Sequence, residues 1–240
     1  MKTCKIFLSK EENYFKTALK IKKFNNINTE IIWLEDFLPL KNKKELLENS
    51  IIYFLCNKLT IIRKIIEISK DVHCYIFNKD FFKKNYTKIE IQEILEKNNI
   101  KVPKRIDISK LEDIKLPVFC KENNHTGIVF KAYTENTLKN FFEKFDKNRF
   151  YIEESVNGGI ETKYYYVKGN IYSKNNSKIE EEINKSCTKI SELFNLEVFS
   201  IDCIKQNETS IVIDLNPSAG FYLQDEARNS LINEFNKIEL

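Results

Sequence analysis

The sequence predicts a mixed α/β protein with a front lobe of βαβ units and a longer α+β region behind it. In the first 80 residues, short runs rich in β-branched and aromatic residues alternate with segments of helical spacing. From about residue 116 onward, strand-like runs follow one another with only two helical segments between them. The 240 residues, 42% apolar and 31% charged, suit a globular chain that is long enough to bury a hydrophobic core.

Four strands and three helices are predicted in the front lobe. The strands are Lys5–Leu8, Glu30–Leu34, Ile51–Cys56 and Val72–Phe77, and the helices are Glu11–Phe24, Leu40–Glu48 and Leu59–Ser69. In the last helix the mostly apolar positions recur at steps of three and four, which places them on one face. Strands that alternate with helices of this length predict a small parallel sheet.

The region behind begins with a predicted helix over Thr87–Asn98, which Pro103 prevents from continuing. The predicted strands are Pro117–Cys120, Gly127–Ala132, Phe150–Glu153, Lys163–Val167, Asn170–Ser173, Val198–Ile204 and Ser210–Leu215, with helices at Glu135–Phe145 and Ile179–Phe194. Because only five residues separate the last two strands, we expect these strands to be neighbours in a hairpin.

Composition and motifs exclude several protein classes. The longest apolar run, Ile51–Cys56, is far shorter than the roughly 20 residues that cross a bilayer, and the N-terminus turns polar too early for a signal peptide. We therefore expect a soluble, cytoplasmic protein. The sequence contains neither a Gly-x-Gly-x-x-Gly motif nor a Walker loop. Six cysteines without a Cys-x-x-Cys pair, and only two histidines, argue against a zinc site.

Charge is distributed unevenly along the chain. Residues 1–105 carry a formal charge of +9 and residues 106–240 a formal charge of −5. A basic front half could attract a polyanion or a phosphorylated substrate, although the same lysines could simply solvate the helices. The sequence has no basic–aromatic motif, so a nucleic-acid partner is not expected.

Isolated oxygen-bearing side chains lie in the last two predicted strands. Asp214 and Asn216 are two residues apart, so the period of a strand points both to the same face. Asp202 lies in the preceding strand, and the hairpin would bring it near them. Three hard oxygen ligands on one face suit Mg²⁺. The alternative is a strand-end aspartate and a turn asparagine before Pro217.

A second group of polar residues lies upstream. Lys121 follows an apolar strand and precedes a polar loop, an arrangement suited to nucleotide phosphates. Further along, the acidic pair Glu153 and Glu154 is followed by a Gly-Gly turn and by Glu161 and Lys163. One acid of the pair is expected to be functional and the other exposed, and Glu154 is favoured as the functional one.

The order and spacing of these features resemble the ATP-grasp superfamily, which includes D-alanine–D-alanine ligase, glutathione synthetase and the ribosomal-protein glutamate ligases. The resemblance covers about residues 86–222 and includes the step of fifteen residues from Lys88 to Pro103. It implies an ATP-grasp fold with a short preATP-grasp βαβ lobe at residues 1–82. The ATP-grasp domain would then occupy residues 83–240, with two sub-lobes and a hinge near residues 153–157.

The resemblance implies roles in binding ATP and Mg²⁺ (or Mn²⁺). The residues matched to nucleotide contacts are Lys88, Lys121, Glu154, Ser155, Val156 and Glu161. In the family, these lysines contact phosphates, the hinge acid and main chain face the adenine, and the last acid holds the ribose. The implied metal ligands are Asp202, Asp214 and Asn216, and the implied catalytic groups, which would stabilise an oxyanion, are Lys163 and the main chain near Gly220. Without the resemblance, Lys88 could be a solvated helix lysine and Lys163 an edge-strand charge.

This chain departs from the family pattern at several positions. Thr87 replaces an aspartate, Glu122 replaces a proline, and Ala219 replaces the proline before the last glycine. The phosphate loop contains only Gly127, with His125 and other polar residues where glycines are common. We expect that histidine to be solvated rather than catalytic.

The implied activity is an ATP-dependent carboxylate–amine, or carboxylate–thiol, ligase that acts through an acyl phosphate. Its substrates would be small-molecule or peptide carboxylates and amines. Two alternatives stay open: an ATP-grasp kinase of a small phosphorylated or polyol substrate, and a degenerate nucleotide-binding subunit. Dimerisation is common in the family, so a homodimer is also left open, whereas a membrane partner is not expected.

Overall fold

The structure is a computed structural model that describes residues 2–10, 14–107, 114–124, 128–175, 178–206, 209–221 and 224–240. The chain folds into two compact units. The first unit contains Met1–Asn85, Thr162–Ile201 and Leu215–Leu240, and the second contains Tyr86–Glu161 and Asp202–Asp214. The domain boundary that the resemblance implies near residue 82, and the hinge near residues 153–157, remain predictions.

A parallel sheet of four strands lies in the first unit, as the alternation of strands and helices predicts. Its strands are β1 (Thr3–Leu8), β2 (Asn28–Trp33), β3 (Ser50–Leu55) and β4 (Cys74–Ile76), in the order β2-β1-β3-β4. The helices of this segment are α1 (Phe15–Phe24), α2 (Leu34–Phe37), α3 (Lys43–Leu47), α4 (Leu59–Ile68) and α5 (Lys79–Lys84). Every residue of β3 is buried, which is typical of a parallel strand covered on both faces.

Two sequence predictions for this segment are wrong, and one helix is missing from the prediction. Leu34, expected to end a strand, begins α2, whose first turn contains two acidic residues that interact favourably with the helix dipole. The expected helix Leu40–Glu48 is reduced to α3, and in front of it the Lys43 ammonium donates to the carbonyls of Leu38 and Leu40 at 2.7 and 2.5 Å. Helix α5 lies in a segment for which the sequence predicts no element.

Two longer helices complete the first unit, α8 (Glu181–Phe194) and α9 (Asp225–Lys237). No helix is predicted for the C-terminal segment from its sequence, and α9 corrects that omission. Leu231 and Phe235 of α9 are buried in a core that includes Tyr53. The apolar pattern of α9 is hard to recognise because Arg228 and Glu234 are also buried on it.

The second unit contains an antiparallel sheet. Its elements are α6 (Lys88–Lys97), β5 (Arg105–Ile106), β6 (Val118–Glu122), β7 (Val129–Ala132), α7 (Glu135–Lys144) and β8 (Phe150–Glu154), with the sheet order β5-β8-β6-β7. Helix α6 begins at Lys88 because Thr87 and Glu90 form a reciprocal capping box in front of it. The capping box therefore fixes the start of the helix at Lys88, the first of the two lysines that are predicted to contact phosphate.

Side-chain alternation gives this sheet two different faces. Val118 and Cys120 of β6 are buried in an apolar core together with residues of α7. Phe119 and Lys121 point to the opposite face, where Glu153 of β8 lies directly across from Phe119 in the ladder. The polar face of the sheet is therefore the one that can present charged groups to a ligand.

A third sheet has the order β10-β9-β11-β12, with β9 at Ile160–Val167, β10 at Asn170–Ser173, β11 at Val198–Gln206 and β12 at Thr209–Asn216. Strands β11 and β12 are neighbours, which confirms the predicted pairing. Among the described residues, no helix has the length and apolar character needed to cross a membrane.

Candidate functional site

Lys121 lies near the end of β6 with its ammonium almost entirely buried. The ammonium forms an ion pair with the Glu153 carboxylate on the adjacent strand β8 and donates a hydrogen bond to the carbonyl of Ile213 at 2.9 Å. The Phe119 ring lies two residues earlier on the same face, with its centroid 5.9 Å from the Lys121 nitrogen. Three strands thus contribute to holding this lysine.

Glu153 is buried, contrary to the expectation that it would be the exposed member of the acidic pair. One of its carboxylate oxygens faces Lys121, and the other accepts a hydrogen bond from the Gln92 amide at 2.8 Å. Burial raises the pKa of the Glu153 carboxyl above its ordinary value, while the charge and hydrogen bond of Lys121 oppose that rise. The expectation failed because the strand period turns Glu153, not Glu154, toward the polar face of the sheet.

Lys88 forms a second lysine–carboxylate pair. Its ammonium lies 3.0 Å from an oxygen of Asp214 on β12. The capping box places Lys88 at the first position of α6, from which its side chain reaches β12. This contact shows that Lys88 is not a solvated helix lysine, the alternative that the sequence left open.

A cavity of about 270 Å³ adjoins both pairs within the second unit. The residues that line it are Lys88, Pro103, Phe119, Lys121, Val129, Glu153, Glu154, Val156, Glu161, Asp202, Ile204, Ile213 and Asp214. Seven of these were predicted as site residues from the sequence: Lys88, Lys121, Glu154, Val156, Glu161, Asp202 and Asp214. Apolar walls with a few charged groups are typical of sites for small molecules.

The segment after β8 forms one wall of this cavity. Glu154 is exposed and lies 3.9 Å from the Lys104 ammonium, and the amide of Ser155 donates to the carbonyl of Pro117 at 3.3 Å. This hydrogen bond ties Ser155 to the residue just before β6. Val156 and Glu161, further along the segment, line the cavity. Gly159 allows the turn to approach β11, because a β-carbon there would lie 2.4 Å from the Ile204 side chain.

The charges around the cavity are predominantly acidic. Its lining contains two lysines and five carboxylates, a formal balance of −3. In the described parts of the chain, no group of three or more His, Cys, Asp or Glu side chains has the geometry of a complete metal site. Asp202 and Asp214 nevertheless line the same cavity, and Mg²⁺ typically binds one or two carboxylates together with substrate phosphates. The donor set therefore fits a cation that a phosphate ligand would help to hold.

Comparison with known proteins finds similar proteins by structure alone. Neither a protein-family model nor a curated protein sequence matches this chain. The D-alanine–D-alanine ligase from Bacillus anthracis, solved with ATP, is similar with a TM-score of 0.73 and 14% identity, covering 98% of this chain and 95% of that one. The Chryseobacterium gregarium RiPP-associated ATP-grasp ligase, in complex with ADP and a leader and core peptide, is similar with a TM-score of 0.72 and 12% identity. The match covers 100% of this chain and 98% of that one. The ATP-grasp ligase PsnB, with a minimal precursor, Mg and ADP, is similar with a TM-score of 0.67 and 12% identity, covering 98% of each chain.

The chain has the ATP-grasp fold. This confirms the fold class that the resemblance implied. The roles that the resemblance assigns to individual residues of the ATP-grasp fold are a separate matter, and they stay predictions.

Three predicted residues of the ATP-grasp fold lie in the first unit. Lys163 is on β9, and Asn216 ends β12, where its side-chain oxygen accepts a hydrogen bond from the amide of Ser218 at 2.9 Å. The segment that follows is tied to the parallel sheet, because the Tyr53 hydroxyl donates to the carbonyl of Ala219 at 2.7 Å. A β-carbon at Gly220 would lie 2.9 Å from the Tyr14 ring, so glycine fits this close approach.

Part of the cavity of this ATP-grasp fold escapes prediction from the sequence. Gln92, which does not line the cavity but donates to the lining residue Glu153, does not stand out either, because one glutamine on an amphipathic helix gives no sign of burial. Phe119 and Ile213 are predicted only as strand residues. Phe119 lies two residues before the predicted site residue Lys121, and Ile213 directly precedes the predicted site residue Asp214. The strand period around Lys121 could have identified Phe119 as a wall of the site.

The departure at Glu122 has a structural explanation. Its carboxylate pairs with the Arg149 guanidinium and accepts a hydrogen bond from the amide of Ile128 at 3.2 Å. Burial alone would raise the pKa of Glu122, but the hydrogen bonds from Arg149 and Ile128 hold it below its ordinary value. The predicted phosphate-loop residues 125–127, including the histidine expected to be solvated, lie outside the described residues.

Proposed function

We propose that the protein is an ATP-dependent ligase that joins a carboxylate to an amine, or to a thiol, and releases ADP and phosphate. One observation carries the proposal: a single cavity of the ATP-grasp fold is lined by two lysines, by Asp202 and Asp214, and by apolar walls. These are the groups needed for phosphates, for a cation and for a nucleobase. The similar solved ligases, bound to ATP or ADP, support the same assignment.

The nucleotide would occupy the cavity according to the chemistry of its lining. Phe119, Ile204 and Ile213 offer apolar surface for the base. Glu154 and the main chain at Ser155 and Val156 are proposed to face the adenine, as the resemblance implies. Glu161 is proposed to accept hydrogen bonds from the ribose hydroxyls.

Charge makes a divalent cation necessary in this proposal. The lining has a formal balance of −3, so the triphosphate of ATP would be repelled by the cavity if no cation neutralised it. We propose that Asp202, Asp214 and Asn216 hold Mg²⁺ or Mn²⁺. When bound, the cation neutralises phosphate charge and stabilises the charge that develops during phosphoryl transfer.

The protein's own residues would act by positioning and by charge. Lys88 and Lys121 would bind phosphate oxygens while a substrate carboxylate oxygen attacks the γ-phosphorus and the bond to the β-phosphate breaks, releasing ADP. The amine or thiol would then attack the acyl carbon of the acyl phosphate, losing its proton as phosphate leaves. Lys163 and the main chain near Gly220 are proposed to stabilise the oxyanion of that second step.

We propose a peptide as one of the substrates. Two of the similar ligases were solved with peptides, the Chryseobacterium gregarium ligase with a leader and core peptide and PsnB with the precursor peptide PsnA2. The same chemistry would accept a small-molecule carboxylate and amine, so the substrate assay must include both classes.

The first test is calorimetric titration of ATP, with and without Mg²⁺, into wild type and an Asp214→Ala/Asn216→Ala variant. We expect Mg²⁺-dependent binding that the double variant weakens by roughly 100-fold, because the phosphates then face acidic walls with fewer ligands for the cation. The matched control is Asp80→Ala/Asn195→Ala, which removes an exposed Asp–Asn hydrogen bond of 2.7 Å in the first unit. Wild type that ignores ATP, or a control that loses binding equally, would contradict the proposal.

The second test identifies the products. A ligase should release free phosphate only when both a carboxylate and a nucleophile are supplied. A kinase would produce ADP without free phosphate, and a nucleotide-binding subunit would produce neither. Screening mixtures of peptides, amino acids and amines for phosphate release therefore separates the three functions.

A further inference from the structure

We propose that Glu153 is a positioning residue, which holds the Lys121 ammonium in one orientation so that a single N–H faces the bound nucleotide. This inference rests on the proposed function, because the nucleoside triphosphate is the ligand that Lys121 would meet. Glu153 thereby gains a role, although its sequence context predicts an exposed acid.

The Lys121 ammonium has three N–H donors. One is directed to the Glu153 carboxylate and a second to the carbonyl of Ile213 at 2.9 Å. In the described part of the chain, these two groups are its hydrogen-bond acceptors. One donor therefore stays available, and Lys121 lines the cavity. An ammonium fixed by two acceptors offers a directional hydrogen bond instead of a diffuse charge.

Gln92 provides the support behind Glu153. The Gln92 amide nitrogen donates to the Glu153 oxygen that does not face Lys121, at 2.8 Å. Its own side-chain oxygen is buried and has no hydrogen-bond partner among the residues that the structure describes. An unsatisfied buried acceptor costs free energy, so this amide is oriented toward Glu153 at the expense of its own second hydrogen bond. The three side chains Gln92, Glu153 and Lys121 thus form one line from α6 across β8 to the cavity.

A purely structural ion pair offers the right comparison. In the first unit, the buried ammonium of Lys5 pairs with Glu30 on the neighbouring strand at 2.6 Å. That pair also joins a buried lysine to a glutamate on the neighbouring strand, although Glu30 is more exposed than Glu153, and it belongs to the parallel sheet of the first unit. Glu30→Gln therefore removes the acid partner of a buried lysine without touching the nucleotide cavity.

The experiment measures ATP affinity in the presence of Mg²⁺ for wild type, Glu153→Gln, Lys121→Met and the variant with both changes, with Glu30→Gln as control. We expect Glu153→Gln to weaken binding by about 10-fold, since a charge-assisted hydrogen bond that fixes the ammonium is lost. In the Lys121→Met background, Glu153→Gln should have no further effect, because its influence passes through Lys121. Glu30→Gln should bind ATP like wild type.

Gln92→Leu provides a second cycle in case Lys121→Met does not fold. It leaves the cavity lining intact, and we expect a two- to five-fold loss of ATP affinity that is not additive with Glu153→Gln. Additive effects in either cycle, unchanged affinity in Glu153→Gln, or tighter binding by it would overturn the inference while leaving the proposed function standing. If wild type itself fails to bind ATP, both are wrong.

Discussion

The two lysine–carboxylate pairs beside the cavity differ in how much water reaches them. In the Lys121–Glu153 pair the side chains are 9% and 1% exposed, whereas in the Lys88–Asp214 pair they are 16% and 40% exposed. Removing one partner of a pair that is shielded from water is costly, because the other partner is then left as an uncompensated buried charge. A pair that water can reach contributes little stability and exchanges partners easily. The buried pair is thus the more rigid of the two, and the exposed pair can exchange its partners, as the proposed binding of phosphate and cation requires.

The origin of the difference lies in the elements that present the pairs. Lys121 and Glu153 are on adjacent strands of one antiparallel sheet, so the ladder fixes their separation. Lys88 is the first residue of a helix, and Asp214 is near the end of a strand from a different sheet. A lysine at the end of a helix can move its long side chain without disturbing a ladder.

Lys121→Met should have the largest effect on stability. It leaves Glu153 buried without its cation, and we expect a loss of about 3–5 kcal/mol in the free energy of unfolding at neutral pH. Urea denaturation of the full chain measures it. Lys131→Met is the control, since the Lys131 ammonium on neighbouring β7 contacts two aromatic rings instead. A loss below about 1 kcal/mol for Lys121→Met would show that the pair behaves like a surface pair.

The pH dependence of stability should distinguish Glu153 from Glu122, two buried carboxylates of the same sheet. The pKa of Glu153 is raised in the folded state, so the native protein binds more protons than the unfolded chain above pH 4.5, and stability falls as pH rises through that window. Glu153→Gln removes this titration. The difference in free energy of unfolding between wild type and the variant should therefore shift in favour of the variant as pH rises from 4.5.

Glu122 should show the opposite sign. Its pKa is lowered in the folded state, so its contribution is present above pH 4.5 and is lost as pH falls through the lowered value. Glu122→Gln should therefore be most destabilised, relative to wild type, at neutral pH and least so in acid. Denaturation curves between pH 3 and 7 for both variants check the two slopes, and slopes of the same sign would contradict the assignment.

Lys88→Met should have the smallest effect on stability. Its partner Asp214 is well exposed, so we expect the free energy of unfolding to change by less than about 1 kcal/mol. Asp214→Ala should change it by a similarly small amount. The same urea measurements test both, and a loss comparable to that of Lys121→Met would remove the distinction between the two pairs.

Much of the fold was predictable because its signals are local. The parallel sheet follows from β1, β3 and the helices between strands, whose apolar periods are clear in the sequence. The pairing of β11 with β12 follows from the short connection between them. Helix α9 was missed because Arg228 and Glu234 are buried on it, and a buried charge looks like a surface residue until its partner is known.

The candidate site likewise contains residues that the sequence predicts and residues that it does not. Lys88, Lys121, Asp202 and Asp214 were identified from their positions in strands and helices and from the resemblance, and all four line one cavity. The choice between Glu153 and Glu154 depended on which of two adjacent residues faces the polar side of the sheet. That depends on the register of β8 against β6, which no local pattern in the sequence determines. Gln92 was missed for a related reason, since its partner is 61 residues away.

The way the chain is shared between the two units has a consequence for genetics. The backbone passes from one unit to the other at four points, near residues 85, 161, 201 and 214. No single recombination event between two related genes could therefore exchange one whole unit for its counterpart. Hybrids made with one crossover would mix segments within a sheet or a core, so inheritance of the two units is expected to be linked.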